Sequence, residues 1–442
     1  MESIEYSCGL EFEIEGDAAW IKGIGVCKDE NLIIPMVTDD NYKVVGIRAF
    51  AFDDCKTIIS VNIPKSVEVI EEFAFANCSN IKSVKLHYGL KEIWGFAFEH
   101  CISLTSIEIP SSVVNIGNTP QDKPITPEEQ LLREVFGEKR GCPGNPFKGC
   151  TKLRSIRVNS GNAFYHDHIN CLIETKTKKV ISGCKASILP GDDSCEIIGE
   201  YAFWGCQGAF TYGLYAFEEP KIKVIEQHAF AYCADMQEIT FPNTVTHIGA
   251  HAFEKCTSLS KITFSDSLVE IGWKAFEGCA KLYKVDFPNK LEKIGFEAFK
   301  NCTNLTIVNY GDQSVITVIA SGTFEGCTSL MNVLIPKKLK ELEDYSFKEC
   351  KNLQCITLPN GLEIIGKGVF ESCEHLEDIF IPQSVESIDA DAFLNCWAYL
   401  ELIRCETQIK PENWNPDWNR KREYGTYHKV AWNSIKNSTK TR

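Results

Sequence analysis

From Ala252 the chain reads AFEKCTSLSKITFSDSLVEIG, and from Ala275 it reads AFEGCAKLYKVDFPNKLEKIG. Counted from the cysteine, apolar residues fall at three, six, eight, twelve and fifteen, with polar residues between them. The six-and-eight pair (Ile107 and Ile109, Val285 and Phe287, Ile379 and Ile381) has a two-residue period and predicts a short strand with one face inward. Proline often follows at once, as at Pro64, Pro110, Pro242, Pro288, Pro336, Pro359 and Pro382. It has no N–H and ends the ladder. The Ile-Gly pair then turns the chain. The A-F-x-x-C segment reads as a single helical or 3₁₀ turn with Phe and Cys pointing inward.

The pattern recurs. A cysteine follows a phenylalanine by three residues at positions 55, 78, 101, 150, 206, 233, 256, 279, 302, 327, 350, 373 and 396, and eight of the twelve intervals equal 23. A fixed period of that length is the mark of a leucine-rich repeat. One such turn cannot bury its inner face alone; stacked turns join their strands into a parallel sheet and enclose a shared core. The expected fold is therefore an α/β leucine-rich repeat solenoid. It has a short parallel β-sheet on the concave face and short helical or 3₁₀ turns on the convex face. Residues 47–404 form the solenoid, 1–46 an N-terminal cap and 405–442 a C-terminal cap and tail. The ladder residues include Phe253, Cys256, Phe276, Cys279, Phe299 and Cys302, each phenylalanine contributing about 2–3 kcal/mol on burial.

The coincidence of period, Phe, Cys, Pro and Ile-Gly resembles the BspA-type (Treponema-pallidum-type) leucine-rich repeat family, over roughly Ile47 to Arg404. GIGVCKDENLIIP near the N-terminus, NAFYHDHINCLIETKTKKVISGC at 162–184 and DWNRKREYGTYHKVAW at 417–432 resemble that family's flanks and its hairpin insertion. The resemblance implies a non-enzymatic binding protein. Many members are bacterial or protist surface proteins that bind host proteins such as fibronectin or fibrinogen.

Composition narrows the picture. The net charge of −14 repels phosphate backbones and anionic lipid, so neither nucleic acid binding nor membrane insertion is expected. The N-terminus carries no signal-peptide pattern. A chain complete as given is expected in the cytoplasm, and one whose leader was removed at the cell surface or outside. No P-loop, HExxH, GxGxxG or GxSxG motif is present, and no enzyme activity or cofactor is expected. Of the 21 cysteines, the thirteen in the repeat column are read as buried thiols that pack like small hydrophobes. A Cys171–Cys184 hairpin disulfide is an alternative for the remainder.

Two interruptions stand out. Residues 118–146 carry a capping box, Thr126-Pro127-Glu128-Glu129, and predict a short helix through Phe136, as decoration or as a recognition loop. Ala163 to Ile181 predict a hairpin, whose His166, His168 and Cys171 lack the paired spacing of a structural zinc site, so no metal is expected there. A third, smaller one lies around GAFTYGLYAFEEP (208–220), where a widened turn suffices.

Positions five and seven after each cysteine alternate outward onto the sheet face. In the last repeats position seven carries Asn309, Leu334, Thr357, Phe380 and Ile403, with Asp378 at position five. These six residues are the expected partner-binding set, with Phe380 as anchor. The competing expectation is that the C-terminal segment folds back over them. The C-terminal aromatics Trp414, Trp418, Tyr424, Tyr427 and Trp432 predict a cap over the last repeat. They also make carbohydrate a second candidate ligand class beside a protein partner.

Overall fold

The computed structural model describes residues 6–118, 120, 144–206, 221–396, 398–422 and 426–434. The predicted helix at 126–136, most of the 118–146 insertion, the turn at 208–220, Cys142 and Tyr424 lie outside these residues. The chain divides into two compact units, Met1–Ile222 and Lys223–Arg442.

Most described coils carry two strands. In the first unit Asn31–Ile33, Ser60–Ile63, Ser83–Leu86, Ser106–Ile109 and Ser155–Val158 pair in parallel as a long-strand sheet. A second sheet is headed by the antiparallel hairpin Glu11–Glu15 and Ala18–Gly23. It continues in parallel through Lys43–Ile47, Val69–Ile70, Glu92–Ile93 and Asn115–Ile116. In the second unit the long strands Glu238–Thr240, Lys261–Thr263, Lys284–Phe287, Ile307–Tyr310 and Asn332–Leu334 pair in the same way. The isoleucine of each Ile-Gly, read from sequence only as part of a turn, forms a second parallel sheet with the residue before it: His247–Ile248, Glu270–Ile271 and Lys293–Ile294. Glycine is needed after them because adjacent coils touch there through backbone. A Cβ on Gly295 would lie 2.3 Å from the backbone nitrogen of Trp273.

The A-F-x-x-C segments are not helical. Among the described residues there is no helix, which corrects the expected convex helical or 3₁₀ turns. The hydrogen bonds give the reason. From Lys274 to Cys279 the N–H groups alternate. Ala275, Glu277 and Cys279 donate three residues back, to Gly272, Lys274 and Phe276. Lys274, Phe276 and Gly278 donate across to Phe296, Ala298 and Lys300 of the next coil. Lys274 and Gly278 take left-handed φ of 54° and 71°, which an α-helix does not admit. Half the donors thus close tight turns and half stitch coil to coil. This third ladder satisfies the backbone that two sheets alone would leave unpaired.

The phenylalanine column is as expected. Phe253, Phe276 and Phe299 are fully buried, and their rings stack 5.1 and 5.2 Å apart. In the first unit Phe52, Phe75 and Phe98 stack at 4.8 and 5.2 Å. The cysteines do more than fill space. The thiols of Cys256, Cys279 and Cys302 donate to the carbonyl oxygens of Phe230, Phe253 and Phe276, each on the preceding coil, at 3.2, 3.3 and 3.3 Å. The same bond recurs at Cys78, Cys101, Cys150, Cys327, Cys350, Cys373 and Cys396. A column of thiols, each bound to the coil before it, has no use for pairwise oxidation, and no disulfide occurs among the described residues. Cys279→Ala is expected to cost about 1–2 kcal/mol, from lost packing and a lost hydrogen bond. Urea titrations with and without reductant check this; a cost that depends on reductant contradicts the thiol assignment.

The ends are closed by residues outside the repeat. At the N-terminal hairpin Arg48 bonds Glu13 at 2.7 Å, pairs with Glu15 and Glu71, and lies 4.2 Å from the Trp20 ring centre. In the second unit Trp418 meets Phe393 edge-on at 6.0 Å, and Trp414 packs on Trp418 at 5.0 Å. The Trp414 indole N–H donates to the Val385 carbonyl at 3.2 Å.

Candidate functional site

The long-strand sheet of the second unit turns alternate residues outward, because side chains along a strand repeat every two positions. Val285, Val308 and Val333 point into the core, and their neighbours face out. Asn309 is half-buried and donates to Asp286 at 2.7 Å across the sheet. Thr357 and Asp378 are exposed. Leu334 stands out, with 62% of its surface open on the strand Asn332–Leu334. Met331, just before that strand, and Tyr283, two coils earlier, are also exposed. Both occupy the position four after the cysteine, which the reading of positions five and seven passed over. The larger part of the apolar patch is therefore centred nearer the middle of the unit than expected.

Two expected site residues are not on the open face. Phe380 is only 8% exposed and Ile403 is completely buried. Ile403 lies one residue out of the repeat's register. The last coil holds its core leucine, Leu400, four rather than three residues after the cysteine, and Ile403 pairs with the inward Ile379. A one-residue shift exchanges the faces of a strand. Phe380 instead pairs with Arg404, whose guanidinium reaches back to bond Asp378 through Nε at 3.1 Å. The expected aromatic anchor is thus covered, and an ion pair occupies that end of the face.

The other candidate groups also have definite places. The hairpin at Tyr165–His168 and Cys171–Glu174 forms as read. His166 bonds the Thr175 hydroxyl at 3.0 Å, while the thiols of Cys171 and Cys184 turn to separate carbonyls, of Ile188 and Asn170. No disulfide joins Cys171 and Cys184. Burial pushes the thiols of Cys302 and Cys396 up to about 12, so both are protonated at neutral pH and poor nucleophiles. Trp414 and Trp418 are buried in the cap and present no ring to a sugar, which leaves Tyr427 as an exposed aromatic among those described.

The model of the BspA type leucine-rich repeat region matches six copies, at residues 45–120, 223–314 and 312–411, more than half of the chain. The chain belongs to the BspA-type leucine-rich repeat family. This family is one of structural and interaction repeats, without a catalytic assignment. BspA-type architecture also accounts for the neighbours among solved structures. A leucine-rich repeat protein from Bacteroides ovatus superposes with a TM-score of 0.55 at 22% identity, covering 99% of this chain and 100% of that one. The pneumococcal vaccine antigen PcpA reaches 0.50 at 14% identity, covering 98% and 99%. At these identities the likeness is one of fold. No curated protein matches the chain. Among the described residues, no helix is long and apolar enough to cross a membrane.

Proposed function

We propose that this BspA-type chain is a non-enzymatic binding module that holds a protein partner on the outer face of its second unit's long-strand sheet. The observation that carries the reading is Leu334, a large aliphatic side chain 62% exposed on the last strand of the five-stranded sheet, with Met331 also exposed just before that strand. An open aliphatic pair ringed by polar residues suits the centre of a protein interface. The rim, Asn309, Asp286, Thr357 and Asp378, supplies hydrogen-bond groups on both sides. The partner class follows from the family resemblance: host matrix proteins, bound at the cell surface.

The test is capture of immobilised fibronectin and fibrinogen by the intact protein and by Leu334→Asp. The substitution is expected to weaken capture at least tenfold, since a charge at the centre of a dry contact costs more than about 1.4 kcal/mol. Its melting temperature is expected to stay with that of the parent, because the site is open to water. Equal capture by both forms removes the sheet face from the reading. Failure of both to bind removes matrix proteins as the partner class.

A further inference from the structure

A cluster of metal-ligating side chains lies away from the sheet face, on the turn column of the second unit. His228 and His251 occupy the same place on successive coils, five residues before Cys233 and Cys256. Both take the left-handed backbone, each with φ of 54°, so the two rings leave the column in the same direction. The rings stack 4.5 Å apart with their planes within 12°. Glu254, three residues after His251, brings its Oε2 to 2.9 Å from His251 Nδ1. One ligand atom from each of the three residues lies within 4.8 Å of the other two. The group is sheltered: the His251 and Glu254 side chains are 13% and 14% exposed. Trp273 stands edge-on to His251 at 4.3 Å and closes one side.

The neighbouring coils show what this column does elsewhere. Lys274 bonds Glu297 at 3.1 Å, and Lys300 bonds Glu297 and Glu325 at 2.6 and 2.9 Å. There each carboxylate meets an ammonium from its own or an adjacent coil. At His228 and His251 two imidazoles replace the ammonium groups. Imidazole nitrogens are bases with an in-plane lone pair, and two of them beside one carboxylate form a donor set for a borderline divalent cation. We propose that His228, His251 and Glu254 bind a zinc-class divalent ion, stapling two successive coils of the second unit. Zinc bonds nitrogen and carboxylate oxygen at about 2.0–2.2 Å, so its ligands must close to roughly 3.4 Å from one another. Binding therefore requires the two imidazoles to rotate out of their stacked arrangement. The ion takes the place of the proton between His251 and Glu254, and a water fills the remaining position on the open side. Three ligands on two coils make binding stabilising, because the unfolded chain does not hold them together.

The experiment is calorimetric titration of zinc chloride into the full chain carrying Cys8→Ser, Cys142→Ser and Cys355→Ser, which removes the thiols exposed among the described residues and the one outside them as competing ligands. One ion per chain is expected, with a rise in melting temperature. His228→Asn and His251→Asn are each expected to weaken binding more than tenfold. Asparagine tolerates left-handed backbone at least as well as histidine, so the zinc-free melting temperatures should stay with the parent. Cobalt(II) should give visible absorption bands that both substitutions abolish. Absence of stoichiometric zinc binding, or binding that survives both substitutions, overturns the proposal.

Discussion

Phe276→Ala is expected to destabilise the protein by about 3–5 kcal/mol, the range for truncating a fully buried phenylalanine. The ring lies 5.1 Å from Phe253 and 5.2 Å from Phe299, and Phe264 meets its edge at 5.9 Å. Its removal leaves a void that the backbone cannot close, because the alternating ladder from Lys274 to Cys279 fixes the coil on both sides. In a solenoid each coil is stabilised by its neighbours alone. The void therefore weakens the coupling between the coils before and after it more than either block. Denaturation of the variant is expected to lose cooperativity. Trp273, three residues before the truncated side chain in the same coil, should report an earlier transition than Trp414 and Trp418, buried in the cap. A variant that unfolds in one step with a cost below about 1 kcal/mol contradicts the continuous ring column.

Phe380→Asp is expected to cost at least about 3 kcal/mol, whereas Leu334→Asp is expected to be neutral in stability. Both positions alternate outward from the core of the same repeat pattern, yet Phe380 is 8% exposed and Leu334 62%. A carboxylate at Phe380 would lose most of its hydration, and it would arrive beside Asp378, which already uses the cation of Arg404. At Leu334 the new charge stays in water. Thermal melts of the two variants side by side separate these cases. A Phe380→Asp protein that melts with the parent would show the residue to be open, and would restore it as the expected anchor.

Much of this was legible in the chain. The pair at six and eight after the cysteine specified an inward face, and Val285 with Phe287 is buried as that alternation requires. The phenylalanine and cysteine columns followed from period alone, since identical residues at a fixed interval stack on one another. Three features escaped. The A-F-x-x-C turn reads as helix from composition, because alanine and phenylalanine do not reveal that Lys274 and Gly278 are left-handed or that every second N–H leaves the coil. The thiol-to-carbonyl bonds escaped because the acceptor sits one coil earlier, 26 residues before Cys279. The His228–His251–Glu254 cluster is not legible as a metal spacing, because its two histidines lie 23 residues apart on successive coils. Its signal was histidine at the same repeat position in two successive coils.

The periodic sequence by itself determined the repeat, its buried columns and the family, because each repeat meets nearly the same surroundings and so must present nearly the same residues. Only the tertiary structure decided which outward residues are open. Exposure at a given coil depends on its neighbours across the ladder and on single-residue insertions, as at Leu400, that exchange one face of a strand for the other. These relations hold between coils, at separations of a full repeat, where local pattern carries no information about contact.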